Sequence, residues 1–389
     1  MTTVQMQRGD EVKGGARRGG TRRLCHDPAM AAKSTAQVTF RQIAEQTGVH
    51  VSTVSRALDS ERRHLISSDI VARVEAAAKA LGWLPNRAAA SLRKGRSMAI
   101  GALIPDMLNQ VAAQIMQGLE AAVVNRGFFP LIMSMQAAVS SRAVVEMLLS
   151  QRVDGVVVMV DSLEDMIGSM LLKKGVPAVL TARSDKAGRM SAVLGDRVLA
   201  AEIAITHLVQ LGHRAIAVLA GPQSQENGVE RLQYALAALR RHGLEPVCVG
   251  ICNDFSRDEG IRASAEMLAG YRDKTQRPLF TAICAASDIL AVGAYEAIRR
   301  AGLTIPTDIS VVGQNDMMVA ELVSPGLTTV RMHHYDMGLQ AGHLLIDEIE
   351  AGTTEGAVKR PARVITLRPE LVVRESTLAL AVPLPPPRG

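Results

Sequence analysis

Hydrophobic positions along the chain fall into two regimes, and the change lies near residue 97. Between 38 and 84 apolar residues recur at helical spacing in short runs. Ile43-Ala44, Val54 with Ala57-Leu58, and Val71, Val74, Ala78 and Leu81 repeat every three or four residues, the period of one helix face. Thr39 is placed to cap the first helix, and Gln42, three residues on, to return the bond in a capping box. Gly48 permits a sharp turn that Val49 closes against Ala44, and a second helix begins at His50 or Val51. A third helix is predicted from the cap Ser67 to Leu81, ended by Gly82. From Met98 onward the apolar runs become short and unbroken: 99–104, 129–133, 155–159, 178–180, then 215–219, 282–284 and 309–312. Helical segments 112–126, 199–211, 229–241 and 288–301 lie between them. Strands apolar on both faces belong to covered parallel sheets, so the alternation predicts two doubly wound α/β lobes with a ligand cleft at the carboxyl ends of their strands.

The second helix carries distinctive chemistry. With Val54, Ala57 and Leu58 turned inward, Val51, Ser52, Ser55 and Arg56 occupy the opposite side. That face suits a DNA major groove: hydroxyls reach phosphates, valine meets a thymine methyl, and arginine bonds guanine bidentately. Beyond the third helix, Pro85-Asn86-Arg87 opens an alanine-rich stretch ending at Arg96. Two turns of helix are marginal in water alone, so this stretch is expected to fold only where DNA and a partner chain support it.

Val38-Thr39-Phe40-Arg41-Gln42-Ile43-Ala44, Gly48-Val49 and Ser52-Thr53-Val54-Ser55-Arg56-Ala57-Leu58 resemble the headpiece of the lactose-repressor (LacI/GalR) family of bacterial regulators. The likeness continues through Pro105-Asp106, Leu211-Gly212-His213-Arg214, Ser287-Asp288, Ile305-Pro306 and Leu327-Thr328-Thr329-Val330, covering roughly 38–375. It implies that Val51, Ser52 and Arg56 read bases while Thr39, Thr53 and Ser55 bond phosphates. Asn86, Arg87, Ala89 and Leu92 then belong to a hinge helix whose leucine wedges into the minor groove. His50 stands where the family has serine as the cap, and Trp83 replaces a tyrosine, with packing its expected role. The effector-binding positions carried over are Asp196, Arg231, Ser287 and Asn315. Asn315 replaces an aspartate that accepts sugar hydroxyls, and Gln314 replaces an aromatic. With Arg231 kept and Arg183 at the end of the strand 178–181, the cleft becomes less negative than a usual sugar site, so the expected effector is a sugar, a sugar acid or another carboxylate.

The resemblance therefore implies a transcriptional regulator, a repressor, that binds a palindromic operator as a homodimer under control of a small-molecule effector. Dimerisation is expected through the helix near 111–124 and the following strand, and no leucine heptads in the tail predict a tetramer. The chain divides into a disordered basic extension (1–37), a helix-turn-helix domain (38–84), a hinge (85–97), a two-lobed effector and dimerisation domain (98–375) and a flexible tail (376–389). Met30 lies just ahead of the headpiece, where such a repressor could itself begin.

Charge agrees with that map. The whole chain carries +6; residues 1–96 hold 17 basic against 8 acidic side chains, or +9, leaving −3 for the remainder. Cys25, Cys248, Cys252 and Cys284 form no metal-ligand spacing, so reduced packing cysteines of a cytoplasmic protein, with no metal and no cofactor, are expected. His207, His213 and the adjacent His333-His334 read as scaffold rather than chelate. A periplasmic solute receptor would share the lobes but needs export and no headpiece; an enzyme on a nucleotide fold would need a phosphate-binding glycine loop that is not here. No apolar stretch is long enough to span a bilayer.

Overall fold

The computed structural model describes residues 38–59, 62–83, 96–135, 140–160, 164–183, 185, 187–352 and 361–380. The chain forms two compact units, divided between Asn86 and Arg87.

In the first unit, α1 (Phe40–Thr47), α2 (Val51–Ala57) and α3 (Ser68–Leu81) surround a small core centred on Ile43, Val54 and Val74, all fully buried. The capping box at Thr39 and Gln42 is present, and Gly48 adopts φ 69°, a left-handed turn that an L side chain would strain. Trp83 stacks at a tilt on Phe40, ring centroids 5.5 Å apart, which is the packing role expected of it. Two details differ from expectation. Ser67 occupies the cap position of α3 without a side-chain bond, and Leu81 is exposed while Ala77 is buried.

The second unit contains β1 (Ala99–Ile104), α4 (Gln110–Val124), β2 (Phe129–Ser134), α5 (Ser141–Ser150), β3 (Gly155–Val158), α6 (Glu164–Lys173), β4 (Ala178–Thr181) and β5 (Ser191–Gly195). There follow α7 (Arg197–Gln210), β6 (Ile216–Ala220), α8 (Glu226–Arg241), β7 (Val249–Ile251), α9 (Arg257–Gly270), β8 (Ala282–Ala285), α10 (Asp288–Arg300), β9 (Ser310–Asn315) and α11 (Val319–Leu322). The last elements are β10 (Thr328–Arg331), α12 (His334–Ala351), β11 (Val364–Leu367) and β12 (Glu370–Val372). One sheet runs β11-β5-β4-β3-β1-β2, wholly parallel; the other runs β12-β10-β9-β8-β6-β7, parallel except for β12. Each sheet is covered on both faces, the first by α4 and α12 on one side and α5 and α6 on the other.

Three crossings join the lobes: β5 into α7, β10 into α12, and β11 into β12. Crossing strands end in the cleft, so residues at 195–197 and 332–334 are set there by topology rather than by local preference. At the α4–α12 crossing Gly118 faces the Tyr335 carbonyl and Gly338 faces that of Ile115, so closely that neither position has room for a Cβ. The body also extends past 375, where a flexible tail was expected to begin. Ser376 is fully buried with its hydroxyl donating to the Val311 carbonyl, and the Leu380 amide donates to Leu211. Cys248, Cys252 and Cys284 are buried free thiols, each pushed up by burial to between about 11 and about 12. No described helix is long and apolar enough to cross a membrane.

Candidate nucleic-acid interface and ligand cleft

On α2, Val51, Ser52 and Arg56 are exposed on one side while Val54 and Ala57 point into the core. Thr53 and Ser55 are half-buried at the margins of that face, and Thr39 is exposed at the start of α1. His50 performs the capping that serine performs elsewhere: its Nδ1 accepts the Ser52 amide at 3.2 Å and lies 2.8 Å from the Ser52 hydroxyl. Thr39 Oγ1 accepts the Gln42 amide at 3.4 Å and donates to Gln42 Oε1 at 3.0 Å. The expected hinge residues Asn86, Arg87, Ala89 and Leu92 lie outside the described residues, as does the basic extension.

Between the lobes lies a cavity of about 290 Å³. Three expected effector positions meet in it. The Arg231 guanidinium donates from Nε to Asn227 Oδ1 at 2.9 Å, from one terminal nitrogen to the Ala286 carbonyl, and from the other to Asn315 Oδ1 at 3.1 Å. Asn315 Nδ2 in turn donates to Ser287 Oγ at 3.4 Å. Phe255 lies with its ring centroid 6.0 Å from the guanidinium carbon. Asn315 itself sits at φ 115°, a strained backbone for a side-chain-bearing residue, followed by Asp316 at φ 54°. Asp316 is held by Arg331 and Arg374 at 2.7 and 2.8 Å, which secures this turn at the end of β9.

Two other expected positions do not line the cavity. Asp196 caps α7, accepting the Leu199 amide at 2.9 Å, so its carboxylate serves the helix end. Arg183 is buried after β4 rather than presented to the cleft. The neighbouring Arg197, not anticipated, lines the cavity instead. It bonds Glu230 at 2.5 Å and the Ala182 carbonyl, tying the β5–α7 crossing to both lobes.

His334 was also missed. It is the first residue of α12, buried, and lines the cleft; burial, with Arg231 and Arg197 nearby, holds its imidazole down at about 3. Its neighbour His333, at φ 52°, has Nδ1 3.4 Å from Asp336 Oδ2. Behind the cleft, burial pushes the Asp288 carboxyl up to about 6 although it accepts from Thr329 and from the Met317 amide. Among the described residues no cluster of His, Cys, Asp and Glu is arranged to hold a metal.

Residues 39–86 match the model of bacterial regulatory proteins of the lacI family, and residues 205–377 that of a periplasmic binding protein-like domain. The HTH-type transcriptional regulator CelR of Thermobifida fusca is 32% identical over 346 residues, covering 87% of this chain and 98% of that one. This chain belongs to the lacI family. Among solved structures of that family, a lac repressor dimer bound to operator and the anti-inducer ONPF aligns with TM-score 0.75 and 28% identity, over 88% of this chain and all of that one. A CelR–cellobiose complex aligns with TM-score 0.64 and 30% identity, over 87% of this chain and all of that one. This lacI-family member is accordingly a DNA-binding transcriptional regulator, not an enzyme, with a headpiece and a two-sheet effector-type body.

Proposed function

We propose that the protein is a repressor that binds an inverted-repeat operator as a homodimer and changes its operator affinity when a small anion, a sugar acid or other carboxylate, occupies the cleft. Arg231 carries this reading. It is a cation fixed by Asn227, Ala286 and Asn315 at the cleft wall, where the carry-over from the family would place an aspartate in position 315. Related proteins were solved with operator and with cellobiose, which supports DNA and a small-molecule effector as partners but not the anionic class.

In this account Val51, Ser52 and Arg56 read base edges while Thr39, Thr53 and Ser55 set the register on phosphates. Homodimerisation uses α4 and the edge strand β2, where Val124 and Ile132 are exposed. A ligand shifts the balance only through different affinity for two arrangements of the lobes, and the hinge at 85–97, with Asn86, Arg87, Ala89 and Leu92, transmits that difference to DNA. The work takes place in the cytoplasm. In vitro selection of random duplexes by the purified chain should enrich an inverted repeat, and Arg56→Ala should flatten one base position while leaving salt-sensitive binding. Recovery of no common sequence would overturn the reading.

A further inference from the structure

The first turn of α2 fixes the direction of one proton on its exposed face. His50 has the extended backbone of a cap residue, φ −71° and ψ 149°. Its carbonyl accepts the Thr53 and Val54 amides at 2.8 and 3.2 Å, so the residue that carries the imidazole is anchored. Nδ1 of the ring meets two groups of Ser52, the amide nitrogen at 3.2 Å and the hydroxyl oxygen at 2.8 Å. An amide can only donate, so Nδ1 carries a lone pair and the proton of the neutral ring sits on Nε2. The hydrogen between Nδ1 and Ser52 Oγ is therefore the hydroxyl's own. With the proton on Nδ1 instead, two N–H groups would point at each other across 3.2 Å and the cap would be lost. A serine hydroxyl has one proton and two lone pairs. Once that proton is committed to His50, the oxygen of the exposed Ser52 can accept but not donate.

We propose that His50 is a positioning residue that sets base choice through Ser52: it makes Ser52 an acceptor-only reader, which selects an exocyclic amino group, adenine N6 or cytosine N4, in the major groove. The proposal rests on the reading above in which Ser52 faces base edges, and adds the class of base. Adenine and cytosine present donors in that groove, whereas guanine O6 and N7 and thymine O4 are acceptors that would face the serine lone pairs. On the contacted strand, one position of each half-site is then adenine or cytosine against guanine or thymine. That division cuts across both purine against pyrimidine and A·T against G·C. Groove width and step flexibility sort sequences along those other lines, so duplex shape does not generate it. A serine cap at position 50 would lack the effect, because a hydroxyl both donates and accepts and leaves the sense of a bond to Ser52 open. The imidazole, with its tautomer fixed by the cap, closes it.

Selection from random duplexes by the full chain, and by its His50→Ser and Ser52→Ala variants, tests this. The position whose profile changes in Ser52→Ala is the one that Ser52 reads. There the native protein should prefer adenine and cytosine together over guanine and thymine by about three- to tenfold, the range of one net hydrogen bond. His50→Ser keeps a helix cap and should bring all four bases at that position within about twofold, leaving the positions read by Val51 and Arg56 as they were. Long-range nitrogen–proton NMR of the full chain labelled at histidine, at about pH 8 and with His50→Ser assigning the signal, should show Nδ1 bare and Nε2 protonated. Preference for guanine or thymine at the Ser52 position, an amino-group preference that survives in His50→Ser, or a protonated Nδ1 would each overturn the proposal. So would a profile altered at every position in His50→Ser, which marks a structural role alone. The reading beneath it fails by different results: a profile that Ser52→Ala leaves untouched takes Ser52 off the base edges, and recovery of no common sequence removes the operator itself.

Discussion

Gly338→Ala tests the packing that positions one wall of the cleft. The added Cβ would lie 1.8 Å from the Ile115 carbonyl oxygen, 2.7 Å from its carbon and 2.9 Å from the Leu119 nitrogen. Heavy atoms rest at about 3.5 Å or more, so α4 and α12 must part by well over 1 Å, up to roughly 1.7 Å. A gap of about 0.5–1 Å already forfeits a quarter to a half of each dispersion contact along the seam. The seam includes Ile115, Leu119, Ala122, Met337, Ala341 and Leu345, all in one buried cluster. Overpacking costs about 1–3 kcal/mol, occasionally more, and the better helix propensity of alanine returns about 1 kcal/mol. With the seam losses included, net destabilisation is about 2–3 kcal/mol, or about 3–5 °C in Tm for a body of this size. Circular dichroism melting of the full chain measures it. Gly270→Ala is the control, since a Cβ there meets nothing within 4 Å; it should leave Tm unchanged or raise it slightly. An unchanged melting temperature in Gly338→Ala would refute the close-crossing argument.

Other consequences are equally specific. His50→Ala should raise amide exchange at the start of α2 and cost the headpiece about 0.5–2 kcal/mol, whereas His50→Ser should restore the cap. Asn315→Ala should spare operator binding and weaken the response to ligand, because it removes one bond to Arg231 and one to Ser287 but nothing from the headpiece. Stability of the second unit should fall between pH 7 and pH 5. Burial lowers His213 from 6.5 to about 4 and His334 to about 3, so the unfolded chain takes up protons that the folded one refuses. Each contributes up to about 2 kcal/mol of loss at pH 5. Asp288, raised to about 6, acts in the opposite direction and offsets about 1 kcal/mol. Urea titrations at both pH values check the sign; greater stability at pH 5 would contradict it.

The fold was legible where burial dictates composition. Central strands such as Ala99–Ile104 and Ile216–Ala220 are apolar throughout because both faces are covered, and they stand out from the helices between them. The edge strand β2 was legible as the run 129–133, but the edge strands β7, β11 and β12 were not. Val249-Gly250-Ile251 and the alternating Val364–Leu367 expose half or more of their residues and resemble loops. In the headpiece every turn signal lies within a few residues of what it controls, and the helix starts emerged from Thr39, Gly48 and Gly82. The cleft depended on family likeness for Arg231, Ser287 and Asn315. Asp196 and Arg197 show its limit: a crossing strand places one on a helix cap and its neighbour in the cavity, a choice made by tertiary path. His334 was hidden for the same reason, since a helix N-terminus is buried here only because the chain passes between lobes at that point.

The central claim is that occupancy of the Arg231 cleft governs DNA binding by a separate headpiece. Operator titrations, using a duplex from the selection above, measure it directly when run with and without a bacterial metabolite extract on the native chain and on Arg231→Met. The native protein should shift its operator Kd with the extract, by about tenfold or more for a coupling of the usual 1–3 kcal/mol, while the variant binds the same duplex with no shift. An identical shift in both proteins, or none in the native chain, would contradict the account.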